Sequence, residues 1–100
     1  MMKASTMVAA LGLAASPAFG ACNQDKIKVV SSDGEVLITV SGQMYRVLPG
    51  YDFYSEVWLP DETIIVCEDA RVWFEGEPRM TYAIVNKNEN DEHVSAFKGR

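Results

Sequence analysis

Histidine occurs once in this chain of 100 residues and cysteine twice, and no apolar run approaches the roughly 20 residues that a membrane-spanning helix requires. Each scarcity excludes something. The single histidine, His93, sits in a polar stretch, and no nucleophile elbow, zinc-ligand set, Walker loop or dinucleotide fingerprint occurs. The two cysteines, Cys22 and Cys67, are far apart, unlike the Cys-x-x-Cys of thiol oxidoreductases. The sequence therefore predicts no catalytic residues, no metal and no cofactor. Clusters of positive charge are missing as well. Nine basic residues face fourteen acidic ones, and from Lys26 to Arg100 they are scattered among carboxylates. Nucleic acid and anionic membrane surfaces, which are held by grouped Lys and Arg, are excluded as partners. After the first twenty-one residues no apolar positions recur at helical spacing, and there is no internal repeat.

The opening segment has a pattern of its own. Lys3 is followed by the uncharged run Met7 to Ala15, then Pro17 and the small-residue end Ala18-Phe19-Gly20-Ala21. This is the layout of an export signal over residues 1–21, cleaved after Gly20 or Ala21, and it predicts a secreted or periplasmic protein without a transmembrane span. Cleavage leaves 80 or 79 residues, one small domain, with 14 acidic against 8 basic side chains and a net charge of −6. In an oxidising compartment an even cysteine count reads as a disulfide, so Cys22 and Cys67 are expected to pair and tie down the N-terminal end. The competing reading of Cys22 is a lipid anchor just after the signal. Phe19 then stands where a branched aliphatic is usual, and Cys67 would be left unpaired.

The remaining pattern is short alternating runs between turn residues. Ile27 and Val29 alternate with Lys26 and Lys28, and Asp33-Gly34 supplies a turn. Val36, Ile38 and Val40 share one face of the next run, with Leu37 and Thr39 on the other. Gln43 to Leu48 continues to Pro49-Gly50. A short strand is expected near Glu56 to Leu59. Thr63 to Cys67 is apolar on both faces, as a well-covered strand should be. Glu68-Asp69-Ala70 and Gly76-Glu77-Pro78 read as turns around Arg71 to Glu75, and Arg79 to Val85 follows with Met80, Tyr82 and Ile84 on one face. These signals predict an all-β domain over 22–85, a small antiparallel sandwich or partly closed barrel of five to seven strands such as an SH3-like or OB-like roll. A polar tail over 86–100 follows, in which Val94 and Phe97 can dock or pair as a last strand.

Tyr51, Phe53, Tyr54 and Trp58, beside Asp52 and Glu56, are the candidate binding residues. Aromatic faces with nearby acceptors suit a peptide or carbohydrate groove, and equally the plugging of a barrel's open end. Asn86, Asn88, Asn90 and Glu92 recur at every second position, as calcium ligands can, but the glycine and the final glutamate of such a loop are missing. The composition points to a non-catalytic exported module that binds a protein or cell-envelope glycan, with an inhibitor of a basic partner as a special case. The alternatives are a small envelope hydrolase or lyase using Asp52 or Glu56, and a structural subunit of an envelope assembly. Oligomeric state is not legible at this level.

Overall fold

A computed structural model describes residues 20–99. Six strands, β1 (Cys22–Val30), β2 (Val36–Thr39), β3 (Met44–Val47), β4 (Thr63–Phe74), β5 (Glu77–Asn86) and β6 (Glu92–Lys98), form one closed antiparallel barrel in the order β1-β2-β3-β6-β5-β4. The all-β architecture expected from alternation is therefore found, as a closed six-stranded barrel. Among the described residues no helix is long and apolar enough to cross a membrane. All but the last two residues of the segment expected to be an export signal, 1–21, lie outside the described residues.

Local order in the sequence accounts for most of the pairing. β1-β2-β3 and β4-β5-β6 are two three-stranded meanders, and the barrel closes where their outer strands meet, β1 on β4 and β3 on β6. Ile27, Leu37, Tyr45, Val47, Ile64, Val66, Ile84, Val94 and Ala96 fill the interior, each buried. Alternation along β2 turns Leu37 and Thr39 inward and leaves Val40 exposed. Thr39 is tolerated inside because its hydroxyl accepts the Gln43 N–H at 3.1 Å and lies 3.1 Å from the Ser41 hydroxyl.

Cys22 and Cys67 are directly opposite on β1 and β4 and joined by a disulfide, as expected. Its sulfur occupied, Cys22 has no thiol left for the lipid anchor weighed as its alternative. A loop of 45 residues closed in this way contributes about 4 kcal/mol through lost unfolded-state entropy.

Three expectations are corrected. Residues 68–70 do not form a turn: β4 runs through them, with a register shift against β5 between Glu68 and Arg71. At that bulge Thr81 replaces the ladder, its Oγ1 accepting the Ala70 N–H at 3.2 Å and donating to the Ala70 carbonyl at 2.8 Å. Nor does the domain end at residue 85. Of the two fates open to Val94 and Phe97, strand pairing occurs, and β6 is a barrel strand with Val94 and Ala96 in the core. Polar residues 87–91 form the hairpin loop between β5 and β6, closed by the pair Asn86 and Glu92, rather than the start of a tail. Finally, no strand forms near Glu56 to Leu59. A one-turn helix, α1 (Asp52–Ser55), precedes that segment, which continues as irregular chain.

Candidate binding surfaces

The connection from β3 to β4, Leu48 to Glu62, crosses one mouth of the barrel as a cap. Its entry is set by Pro49-Gly50, where Gly50 has φ +94° and Asp52 Oδ1 accepts the Gly50 N–H at 3.2 Å. α1 is held down by the buried Ser55, whose hydroxyl donates to the Gly34 carbonyl at 2.7 Å. Gly34, at φ +78°, lies so close beneath α1 that a Cβ there would meet the Asp52 carbonyl oxygen at 2.4 Å and the Glu56 nitrogen at 2.7 Å. The β1–β2 turn and the cap are thus fitted backbone to backbone at a residue only glycine can occupy.

The four aromatic residues predicted as a binding set divide into two pairs. Trp58, only 3% exposed, fills the barrel mouth, and its Nε1–H donates to Glu92 Oε1 at 2.7 Å. Tyr51 is half-buried, packs against the core and stands beside the His93 ring. Phe53 and Tyr54, in edge-to-face contact, point to solvent, with Phe53 71% exposed. Val57 and Leu59 join them at 62% and 59% exposure. Sequence reasoning missed these last two, because neither is aromatic and no regular spacing in the run marks them as exposed. Exposed carboxylates lie in the same segments: Glu56 and Asp61 within the cap, and Asp33 and Glu35 on either side of Gly34 beneath it. Among the described residues the one ion pair, Lys87–Asp91, involves none of them. As for acid–base work, Asp52 Oδ1 is bonded to the Gly50 N–H and Glu56 stands in solvent.

The loop once weighed as a calcium site has its oxygens engaged elsewhere. Asn86 Oδ1 accepts the Asn88 N–H at 2.8 Å while its Nδ2 donates to Glu62 Oε1 at 2.8 Å, Asn88 Oδ1 accepts the Thr63 N–H at 2.7 Å, and Glu92 Oε1 accepts from Trp58. Glu62 also accepts the Leu59 N–H at 2.9 Å. Partial burial opposes ionisation of Glu62, but the Leu59 N–H, the Asn86 amide and the Glu89 carboxyl outweigh it and lower its pKa. Sharing a hydrogen bond with Glu62, and repelled by its charge, Glu89 is shifted upward. The loop therefore braces the cap through Glu62 and Glu92.

Beyond the bulge, β4 and β5 leave the barrel wall as an arm, Ala70 to Met80, ended by the two-residue turn Glu75-Gly76 with φ +53° and +84°. Positive φ at both positions matches the twist of the flanking strands. Phe74 on the inner face packs on Phe97 of β6 with ring centroids 4.7 Å apart, and the Arg79 guanidinium lies 4.5 Å from the Phe97 centroid. Between arm and barrel lies a groove of about 690 Å³ lined by both charge signs, Arg46, Arg79 and Lys98 with Glu35, Glu75 and Glu77. The outer face carries Trp73, 74% exposed and directly opposite Pro78. No family model, curated protein or solved structure matches the chain.

Proposed function

We propose that this chain is an exported, non-catalytic binding module, and that its cap is the surface that meets a partner protein. The observation that carries the reading is the cluster Phe53, Tyr54, Val57 and Leu59, exposed together on a segment fixed from below by Trp58, Ser55 and Gly34. Apolar side chains held rigidly in solvent lose little conformational entropy when covered. The exposed carboxylates of Asp33, Glu35, Glu56 and Asp61, on a chain with excess negative charge, fit a partner that presents apolar and basic side chains together. Inhibition of such a partner is the special case in which the cap covers its working surface. The disulfide accords with an extracytoplasmic setting.

A photo-reactive amino acid in place of Phe53, compared with one in place of Gln43 in the β2–β3 turn, tests the proposal in the intact host envelope. Position 53 should yield one dominant protein adduct that is absent from position 43, fades as salt rises, and is lost with Glu56→Lys. Equal adducts at both positions, or adducts indifferent to salt and charge reversal, would rule the cap out.

A further inference from the structure

Closing a barrel removes its strand edges, and in this chain the removal is incomplete at one place. The β1 ladder on β4 runs from Lys26 opposite Thr63 to Cys22 opposite Cys67, and the last bonds on that side join Gly20 and Ala21 to Glu68. Among the described residues, β4 from Ala70 to Phe74 is exposed and has β5 on one side and no strand on the other. Ala70 turns its N–H and carbonyl to Thr81 of β5. These groups alternate sides along a strand, so Val72 and Phe74 bond to β5 while Arg71 and Trp73 present theirs to the open side.

The arm's two edges are not alike. On β5 the residue opposite Trp73 is Pro78, which has no N–H to offer, so that edge is blunted. On β4 no proline or lysine interrupts Ala70 to Phe74, and the exposed residue at its centre is Trp73.

The β4 edge also complements itself. Laid antiparallel on a second copy about an axis through Trp73, the strand run Arg71-Val72-Trp73-Phe74 sets Val72 against the copy's Phe74 and Trp73 against its Trp73, and brings Arg71 beside Glu75 in the copy's hairpin turn. Both charged pairs are then of opposite sign and the remaining pairs apolar or aromatic, which are the favourable cross-strand combinations. The same axis makes Trp73, whose backbone groups face outward, the residue that bonds to its own counterpart across it. Slipping the register to an axis through Val72 instead puts Asp69 against Glu75 and Arg71 against Trp73, giving up both ion pairs.

We propose that two copies of this chain associate through the β4 edges of their arms, forming a two-fold dimer joined by a continuous four-stranded sheet centred on Trp73. The contact is isologous, so it closes at two copies and does not propagate. Its small extent places it among weak, concentration-dependent interfaces. It does not depend on the cap's role.

Sedimentation velocity on the protein as its host processes it, across a concentration series, tests the dimer together with a charge swap. Wild type should pass from monomer to dimer with a Kd on the order of tens of micromolar, as an interface of this size implies. Arg71→Glu and Glu75→Arg should each weaken association at least tenfold by facing like charges, and an equimolar mixture of the two should recover it, since every cross-strand pair in the mixed dimer is again opposite in sign. Melting temperatures within a few degrees of wild type would show that both variants fold. A wild type that stays monomeric throughout would overturn the proposal. So would a dimer insensitive to both variants, a mixture that fails to recover association, or a dimer abolished instead by Phe53→Ser.

Discussion

In the cap, Trp58 is enclosed by the barrel mouth and its ring nitrogen is bonded to Glu92; in the arm, Trp73 stands in solvent with only Pro78 across from it. Both lie in runs dense in large apolar side chains, and composition does not separate them. Topology does. The cap crosses an opening that needs filling, so Tyr51, Ser55 and Trp58 of its run turn inward, whereas among the described residues the arm has the barrel on one face and an exposed surface on the other. An aromatic-rich segment in a small barrel is core or surface according to what lies beneath it.

The sharpest way to break this comparison is to truncate the two tryptophans. Trp58→Ala should cost about 3–5 kcal/mol, because it empties the mouth and leaves Glu92 without its donor; most molecules should be unfolded at physiological temperature, as read by near-ultraviolet circular dichroism. Trp73→Ala belongs at the other extreme, and its effect is given last. Next in size is the disulfide. Cys22→Ala with Cys67→Ala should lower stability by about 4 kcal/mol in urea titrations, and because Cys67 precedes the arm, that loss should also free β1 from β4 at the arm's base.

Gly34→Ala should cost about 1–3 kcal/mol through strained backbone and the overlap with Asp52 and Glu56, and it should loosen α1 while leaving the arm untouched. Hydrogen exchange resolves the two regions: faster exchange confined to the cap supports the coupling described, and uniform change contradicts it.

A smaller effect is expected from pH. Asp25 resists ionisation through partial burial, but Ser41, the Lys26 N–H and Thr39 bond to it and lower its pKa; Asp33 is lowered by Ser31 and the Glu35 N–H, and Glu62 by its own donors. A carboxylate whose folded pKa lies below the unfolded value adds stability above the unfolded pKa and loses it as pH falls through the folded one. Melting temperature should therefore decline as pH drops below the ordinary carboxylate range, less steeply in Asp25→Asn. The raised pKa of Glu89 acts in the opposite sense, its contribution being present at low pH and lost as pH rises through the folded value, so Glu89→Gln should steepen the acid decline slightly. Smallest of all, Trp73→Ala should move stability by no more than about 0.5 kcal/mol, as exposed positions do.

Much of this fold is legible in the residues. Alternation located the strands, Asp33-Gly34, Pro49-Gly50 and Gly76 fell at turns, and the cysteine pair proved to be a bond. The failures share a cause. Glu68-Asp69-Ala70 reads as a turn because charged residues seldom extend a central strand, yet Thr81 supplies from β5 the hydrogen bonds that carry the chain through, and that partner is eleven residues away from Ala70. Asn86 to Glu92 reads as solvated, but Asn86 and Glu92, at the ends of β5 and β6, bond to cap residues 24 and 34 positions earlier in the chain. The candidate site was half legible for the same reason: Phe53 and Trp58 look equivalent until the barrel mouth is beneath them.

The two seams where the meanders meet differ in kind. β1 on β4 is crossed by the covalent bond between Cys22 and Cys67, while β3 on β6 is held by hydrogen bonds, in the ladder of Tyr45 to Val47 against Ala96 to Lys98 and at its ends by the Gly99 N–H on the Met44 carbonyl and the Leu48 N–H on the Ser95 carbonyl. The barrel is in effect a shell with a hinge on one side and a latch on the other. Transient opening should run along β3 and β6, swinging one meander about the disulfide, so the interior is reached first past Tyr45 and Ala96 and closes again in register because the hinge never lets the halves part.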